Sequence, residues 1–175
     1  MSTRRSMLLF FGIVLISVWI IGFVPQVGAE TLNYKFYTWV IRSDDVPVAD
    51  VEGHNVGFRV RGNFLVFENG EVATTTSVTT QDFVKGSGSF IAYNTIYFED
   101  GSTIILKMQG TTAGRAKAGA PATGGVTSEI VKGTGRFEGI KGTAASKAKY
   151  LPVIKGDPGS RGYGEGTMTF TLPSK

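Results

Sequence analysis

The chain has 175 residues, 42% of them hydrophobic and 18% charged, with 24 glycines and no cysteine. This length carries one domain with a real core and not comfortably two, and lack of cysteine excludes disulfides, thiolate metal sites, a cysteine nucleophile and a lipoprotein anchor. The formal charge is +4; without Arg4 and Arg5 it falls to about +2, with no basic stripe among aromatics, so nucleic acid is not an expected partner.

The first thirty residues, MSTRRSMLLFFGIVLISVWIIGFVPQVGAE, read as an export signal. Arg4 and Arg5 form a positive start, residues 7–24 are an uncharged apolar run, and Val27 and Ala29 are small residues before a cleavage point at Ala29–Glu30. The run is just long enough to span a bilayer, so a retained anchor over 7–24 is the alternative. The paired arginines also resemble a twin-arginine signal, although the very apolar run favours the ordinary secretory route. Either way the globular part, residues 30–175, is expected outside the cytoplasm, periplasmic or extracellular. The membrane is then a partner only through an uncleaved N-terminal segment.

From Glu30 onward the pattern is a series of strands, as glycine with abundant Thr, Val, Phe and Tyr would suggest. Strands are predicted over 31–41, 56–68, 71–84, 89–98 and 103–110. Asn69–Gly70 is read as a two-residue hairpin turn with both residues at positive φ; Lys85 to Gly88 and Asp100–Gly101 mark further turns. Residues 42–55 and 111–125 are expected to be loops, the first broken by Pro47 and Gly53, the second made of small residues and two cations. A strand precedes Gly133, the Ala/Lys-rich stretch after it is ambiguous, 154–166 is a loop region, and GTMTFTL (166–172) closes the chain with strict alternation. Seven strands and one uncertain segment joined by hairpin turns imply antiparallel pairing in a sandwich or closed barrel.

The stretch IVKGTGRFEGIKGTAASKAKY, 130–150, has the order strand, glycine loop, possible helix of a phosphate site. The spacing fails. Counting G-x-G-x-x-G from Gly133 and Gly135 puts the carboxylate of Glu138 at the third glycine, and no Gly–Lys–Ser/Thr triplet exists for a P-loop. The alternative is a tight β-connection, with Phe137 plugging the end of the core and IKGTAASKAKYL (140–151) forming a strand that carries Lys141, Lys147 and Lys149 on one face.

GGVTSEIVKGTGRFEGIKGTAASKAKY and IYFEDGSTIILKMQG resemble the allene oxide cyclase barrel superfamily, which includes the dirigent proteins; GHNVGFRVRGNFLVFENGE resembles its bacterial members of unknown function. The similarity is strongest over 89–150. It implies an all-β, eight-stranded antiparallel barrel with an apolar cavity, and a homo-trimer as in plant members. One branch cyclises a fatty-acid epoxide and the other steers coupling of phenol radicals. The cyclase Glu and Asn before a Ser–Pro do not carry over: with Pro47 on the motif proline, those positions hold Thr38 and Val40, and Val46 replaces the serine. The family's cysteine has no counterpart, so the catalytic residues are unknown.

His54, the only histidine, cannot build a triad or histidine metal cluster by itself. Asp44, Asp45, Asp50 and Glu52 form an acidic loop without EF-hand spacing. No metal and no cofactor is expected. Within strands, Arg59, Arg61, Glu68, Lys107 and Glu129 are charges among apolar neighbours, and Tyr34, Trp39 and Tyr93 are candidate pocket aromatics. The ligand-binding candidates are Arg59, Glu68, Tyr93, Lys107 and Glu129, if they point inward. The expectation is an exported barrel that binds a small hydrophobic molecule without turning it over. The alternative is a cyclase- or dirigent-like isomerase that confines a reactive intermediate, with Glu68 or Glu129 as the acid in the cavity.

Overall fold

The structure, a computed structural model, describes residues 28–117 and 119–174. The expected N-terminal signal or anchor helix lies outside them. The described chain forms β1 (Glu30–Pro47), β2 (His54–Phe67), β3 (Val72–Val84), β4 (Ser87–Phe98), β5 (Thr103–Ala113), β6 (Ala122–Thr134), a 3-10 turn (Gly135–Phe137), β7 (Lys141–Tyr150) and β8 (Gly162–Thr171). Each strand pairs antiparallel with its neighbours in sequence, and β8 returns to β1, closing an eight-stranded barrel. Closure leaves no unpaired edge, which is how an all-β chain of this size avoids edge-to-edge association.

The register gives the barrel its width. One row of pairings runs from Val66 through Lys35, Glu165, Lys147, Gly125, Thr111, Ser89 and Asp82, and re-enters β2 at Val56, ten residues from its start. Eight strands with this stagger enclose an interior that side chains can fill or that can hold one small ligand.

Side-chain parity decides the turns. In β2 and β3 odd-numbered residues face inward (Leu65, Phe67; Ala73, Thr75), so facing partners share parity and the loop must hold an odd number of residues. Asn69–Gly70 is therefore not a two-residue turn. Gly70 N donates to Phe67 O and Phe67 N to Glu71 O, and only Gly70 has positive φ, a type I turn with a glycine bulge. In β4 the inward residues are even-numbered, so the β3–β4 loop must be even. There the two-residue turn with both φ positive is Lys85 (51°) and Gly86 (79°).

Two expected loops are largely strand. β1 continues to Pro47 because a bulge between Val40 and Arg42 lets it go on pairing with β2 as far as Pro47↔Asn55. Pro47 sits at the strand end, where its missing N–H costs nothing. β5 and β6 pair out to Ala113↔Thr123, leaving a connection much shorter than 111–125. The Ala/Lys segment is β7, with Lys141, Lys147 and Lys149 exposed. Local helix preference loses there to two flanking ladders, one pairing Thr143–Tyr150 with β6 and the other Lys141–Tyr150 with β8.

The core fills one end of the barrel. Leu65, Phe67, Ile96, Phe98, Ile104, Leu106, Met168 and Phe170 are buried, and the glycine-rich β6–β7 connection folds Phe137 and Ile140 under them. The Phe137 ring lies 4.8 Å from that of Phe98 and 6.4 Å from that of Phe170. The stretch that mimicked a phosphate loop is the floor of the barrel.

Candidate functional site

Above this floor the barrel is hollow. A cavity of about 580 Å³ opens toward the β3–β4 turn and the β5–β6 and β7–β8 loops. A second, more open concavity of about 1540 Å³ follows one row of pairings through every strand; outward residues such as Lys35, Asp82, Lys147 and Glu165 line it together with Tyr34, Gln81, Phe90, Val126 and Ser146, which also line the first cavity.

The hollow exists because large inward rings lie along the wall. A Cβ on Gly110 would stand 2.6 Å from the Phe90 ring, one on Gly164 2.6 Å from Phe36, one on Gly166 2.5 Å from Tyr34, and one on Gly124 3.0 Å from Tyr150. Each ring is folded over a glycine of the neighbouring strand, a device that stabilises glycine in sheets and here keeps aromatic bulk out of the lumen. Burial raises the pKa of Tyr34, partly opposed by a hydrogen bond with Ser146.

The lining is uneven. The β1–β4 side carries most of the polar groups, Thr38, Asp45, Arg59, Arg61, Asn63, Ser77, Thr79, Gln81 and Asn94, beside Tyr34, Phe36, Leu65, Phe83, Phe90 and Ile96. The β5–β8 side is apolar or small, with Leu106, Met108, Val126 and Ala148 among its residues. The bulge in β1 helps to create the polar side. Even-numbered residues face inward up to Val40; beyond the bulge the inward parity is odd, which brings Ser43 and Asp45 to Arg59. Arg59 Nη2 donates to Asp45 Oδ2 at 3.0 Å, Arg59 Nε to Ser43 Oγ at 3.1 Å, and Gln81 Nε2 to Asp45 Oδ1 at 2.9 Å. Asn63 Nδ2 donates to Thr75 Oγ1.

Of the five ligand-binding candidates, the structure brings Arg59 alone into the cavity; Arg61, also noted in the sequence as a charge within a strand, lines it too. Tyr93, Lys107 and Glu129 stand opposite one another in one row on the outer wall of β4, β5 and β6, and Tyr93 is 53% exposed. Glu68 follows the end of β2, where it accepts from Asn33 Nδ2 at 2.9 Å. Period-two alternation explains these positions: charges on the wet face are the default. Of the aromatics, Tyr34 faces in, whereas Trp39 lies outside. The polar lining residues that the sequence did not single out include Asn63, Ser77, Thr79, Gln81 and Asn94. Strand parity carried that signal, since β3 and β4 alternate without interruption; the bulge hides it only for Ser43 and Asp45.

His54 sits outside the cavity. Its Nδ1 is 2.5 Å from Asp50 Oδ1 and its Nε2 2.8 Å from Asp82 Oδ1. These two carboxylates raise the imidazole pKa, and the His54 bond lowers that of Asp50. It ties the β1–β2 loop to β3. Among the described residues no group of three or more His, Asp or Glu is placed to hold a metal ion.

No protein-family model matches the chain, and no curated protein does. Solved structures do. A pterocarpan synthase dirigent protein superposes with a TM-score of 0.51 over 83% of this chain and 92% of its own, at 16% identity. A second one gives 0.48 over 85% and 97%, at 14% identity. The likeness to the first is one of fold: this chain is a closed eight-stranded antiparallel barrel of the kind found in dirigent proteins.

Proposed function

We propose that this chain is an exported barrel protein that holds one small, largely hydrophobic ligand in its interior. The observation that carries the reading is the cavity of about 580 Å³ above a packed floor, within the usual range of about 300–1,000 Å³ for small-molecule sites. Export fits the charged start and apolar run of residues 1–29. The first strand begins at Glu30, so cleavage after Ala29 would leave every strand whole; an anchor retained over 7–24 would tether the same barrel to the membrane. A homo-trimer is part of the reading. Tyr163, Tyr37 and Phe64 pair in one outward row across β8, β1 and β2 and are each more than 40% exposed, an apolar strip that a second copy would cover. Native mass spectrometry of the protein purified from its source tests the three parts together. The expected species is a trimer of residues 30–175 with a co-purified organic ligand. Ligand-free protein that also fails to bind any hydrophobic probe would refute the central part.

A second reading, a cyclase- or dirigent-like enzyme, is favoured by the likeness to a protein named as a pterocarpan synthase dirigent protein. The acid it needs would not be Glu68 or Glu129, which stand outside the lumen; Asp45 is the carboxylate among the described lining residues. Turnover of a phenolic or epoxide substrate that is lost in Asp45→Asn would establish it. Unchanged product distribution with and without protein would refute it.

A further inference from the structure

The charges in and around the cavity do not balance. Its lining includes four cationic side chains, Arg59, Arg61, Lys85 and Arg115, and one carboxylate, Asp45. Asp45 is already shared by Arg59 and Gln81, and at the mouth Lys85 is paired with Glu52 at 3.1 Å. Among the described residues, Arg115 donates to the backbone carbonyl of Leu151 at 3.2 Å and pairs with no carboxylate. Arg61 has the poorest partners: Ser160 O at 3.5 Å and Ser160 Oγ at 3.4 Å, with the Tyr150 ring centroid 5.0 Å from its guanidinium carbon. Burial lowers its pKa, and the neighbouring Arg59 adds to that, although a guanidinium stays charged at any physiological pH.

A part-buried guanidinium without a carboxylate is costly to the fold, so its partner is to be sought outside the chain. Arg61 stands opposite Ser77, and Ser77 opposite Asn94, in one inward row across β2, β3 and β4. Two buried polar atoms, Asn94 Oδ1 in this row and Thr38 Oγ1 on β1, have no hydrogen-bond partner among the described residues. Across the lumen lies the apolar wall of Leu106, Met108, Val126 and Ala148. The cavity thus joins an unmatched fork of cationic donors to an apolar slot, under a mouth that carries further positive charge. A guanidinium fork is suited to a planar or tetrahedral oxyanion, and positive charge at an entrance steers anions inward.

We infer that the cavity is a site for an amphipathic organic anion, whose acidic head binds Arg61 with help from the Ser77 hydroxyl and whose apolar body lies along the β5–β8 wall. This rests on the reading of the barrel as a ligand carrier and deepens it. The test uses two fluorescent probes that differ by one anionic group: 1-anilinonaphthalene-8-sulfonate and its neutral parent N-phenyl-1-naphthylamine. Each is titrated into the full chain, and into its Arg61→Met variant, with saturation at one equivalent required. The expected result is about tenfold tighter binding of the sulfonate at low salt, falling to near equality in Arg61→Met while the neutral probe binds as before. The melting temperature of Arg61→Met is expected to be unchanged or higher, whereas a guanidinium retained for structure would lower it. If Arg61→Met does not fold, Arg61→Gln carries the comparison. Equal affinity for the two probes in the unmodified chain overturns the inference and leaves the carrier reading standing. A sulfonate preference that survives loss of Arg61 overturns the role given to that residue. Failure of both probes to saturate overturns inference and carrier reading together.

Discussion

Replacing Phe137 by alanine removes the plug from the barrel floor. Its side chain is 5% exposed and packs in a chain of rings with Phe98 and Phe170. Loss of a buried phenylalanine costs about 3–5 kcal/mol in transfer and cavity terms. The upper part of that range is expected here, because the two ring pairs contribute about 0.5–1.5 kcal/mol each beyond area burial. Closed ladders on all sides also leave the floor little freedom to collapse. The guanidinium of Arg136, 4.6 Å above the ring, is partly exposed and adds at most about 1 kcal/mol. Against a typical total of about 5–15 kcal/mol, the variant would lose a third or more of its stability. Equilibrium urea denaturation followed by circular dichroism measures this as a lower midpoint at constant slope. Phe137→Leu, which keeps most of the volume but loses both ring pairs, should cost less, about 1–3 kcal/mol. It should leave probe binding intact, since floor and mouth are at opposite ends of the barrel. A loss below about 1 kcal/mol for Phe137→Ala at constant slope would refute the view of this connection as a structural plug.

Further outcomes follow from the same geometry. Because Asp50 and Asp82 raise the pKa of His54, its contribution to stability is fully present below the ordinary value of 6.5 and is lost as pH rises through the higher folded value. Urea midpoints taken between pH 5 and 9 should fall across that window in the unmodified chain, and the fall should be absent in His54→Gln. The lowered pKa of Asp50 works the other way: its contribution is present above 3.8 and disappears as pH drops through the folded value. Asp45→Asn leaves Arg59 beside Arg61 without a counter-charge. With the Asp45 side chain 34% exposed, the expected loss is about 1–3 kcal/mol, below that of a fully buried pair, read as a lower urea midpoint; a more stable variant would contradict the pairing. In Gly124→Val the new side chain meets the Tyr150 ring, which a Cβ alone would approach to 3.0 Å. The ring should swing into the lumen and weaken binding of both naphthyl probes several-fold with little change in melting temperature; unaltered affinity would mean that the rings do not set the cavity's width.

The sequence alone determined the class of fold, because alternation, β-branched residues and glycine turns are local features that act over a few residues. Thr167 to Leu172 alternates so regularly that its buried positions, Met168 and Phe170, could be picked before any partner strand was known. Failure of the 130–150 stretch to meet either phosphate-loop spacing was equally local, and so was the prospect of Phe137 as a plug. Only the tertiary structure decided which charges share the lumen. Lys107 and Arg59 look alike in sequence, each a cation in an apolar strand, yet one stands on the outer wall and the other reaches Asp45. The difference is one of parity, and a single bulge in β1 reverses parity for every later residue of that strand. That bulge is a pairing event between β1 and β2, as closure of the barrel is a pairing event between β1 and β8, and neither is written in a window of adjacent residues. The cavity itself has the same origin: an aromatic ring leaves it open only if a glycine waits on the next strand in register, a coincidence of positions as far apart as Phe36 and Gly164.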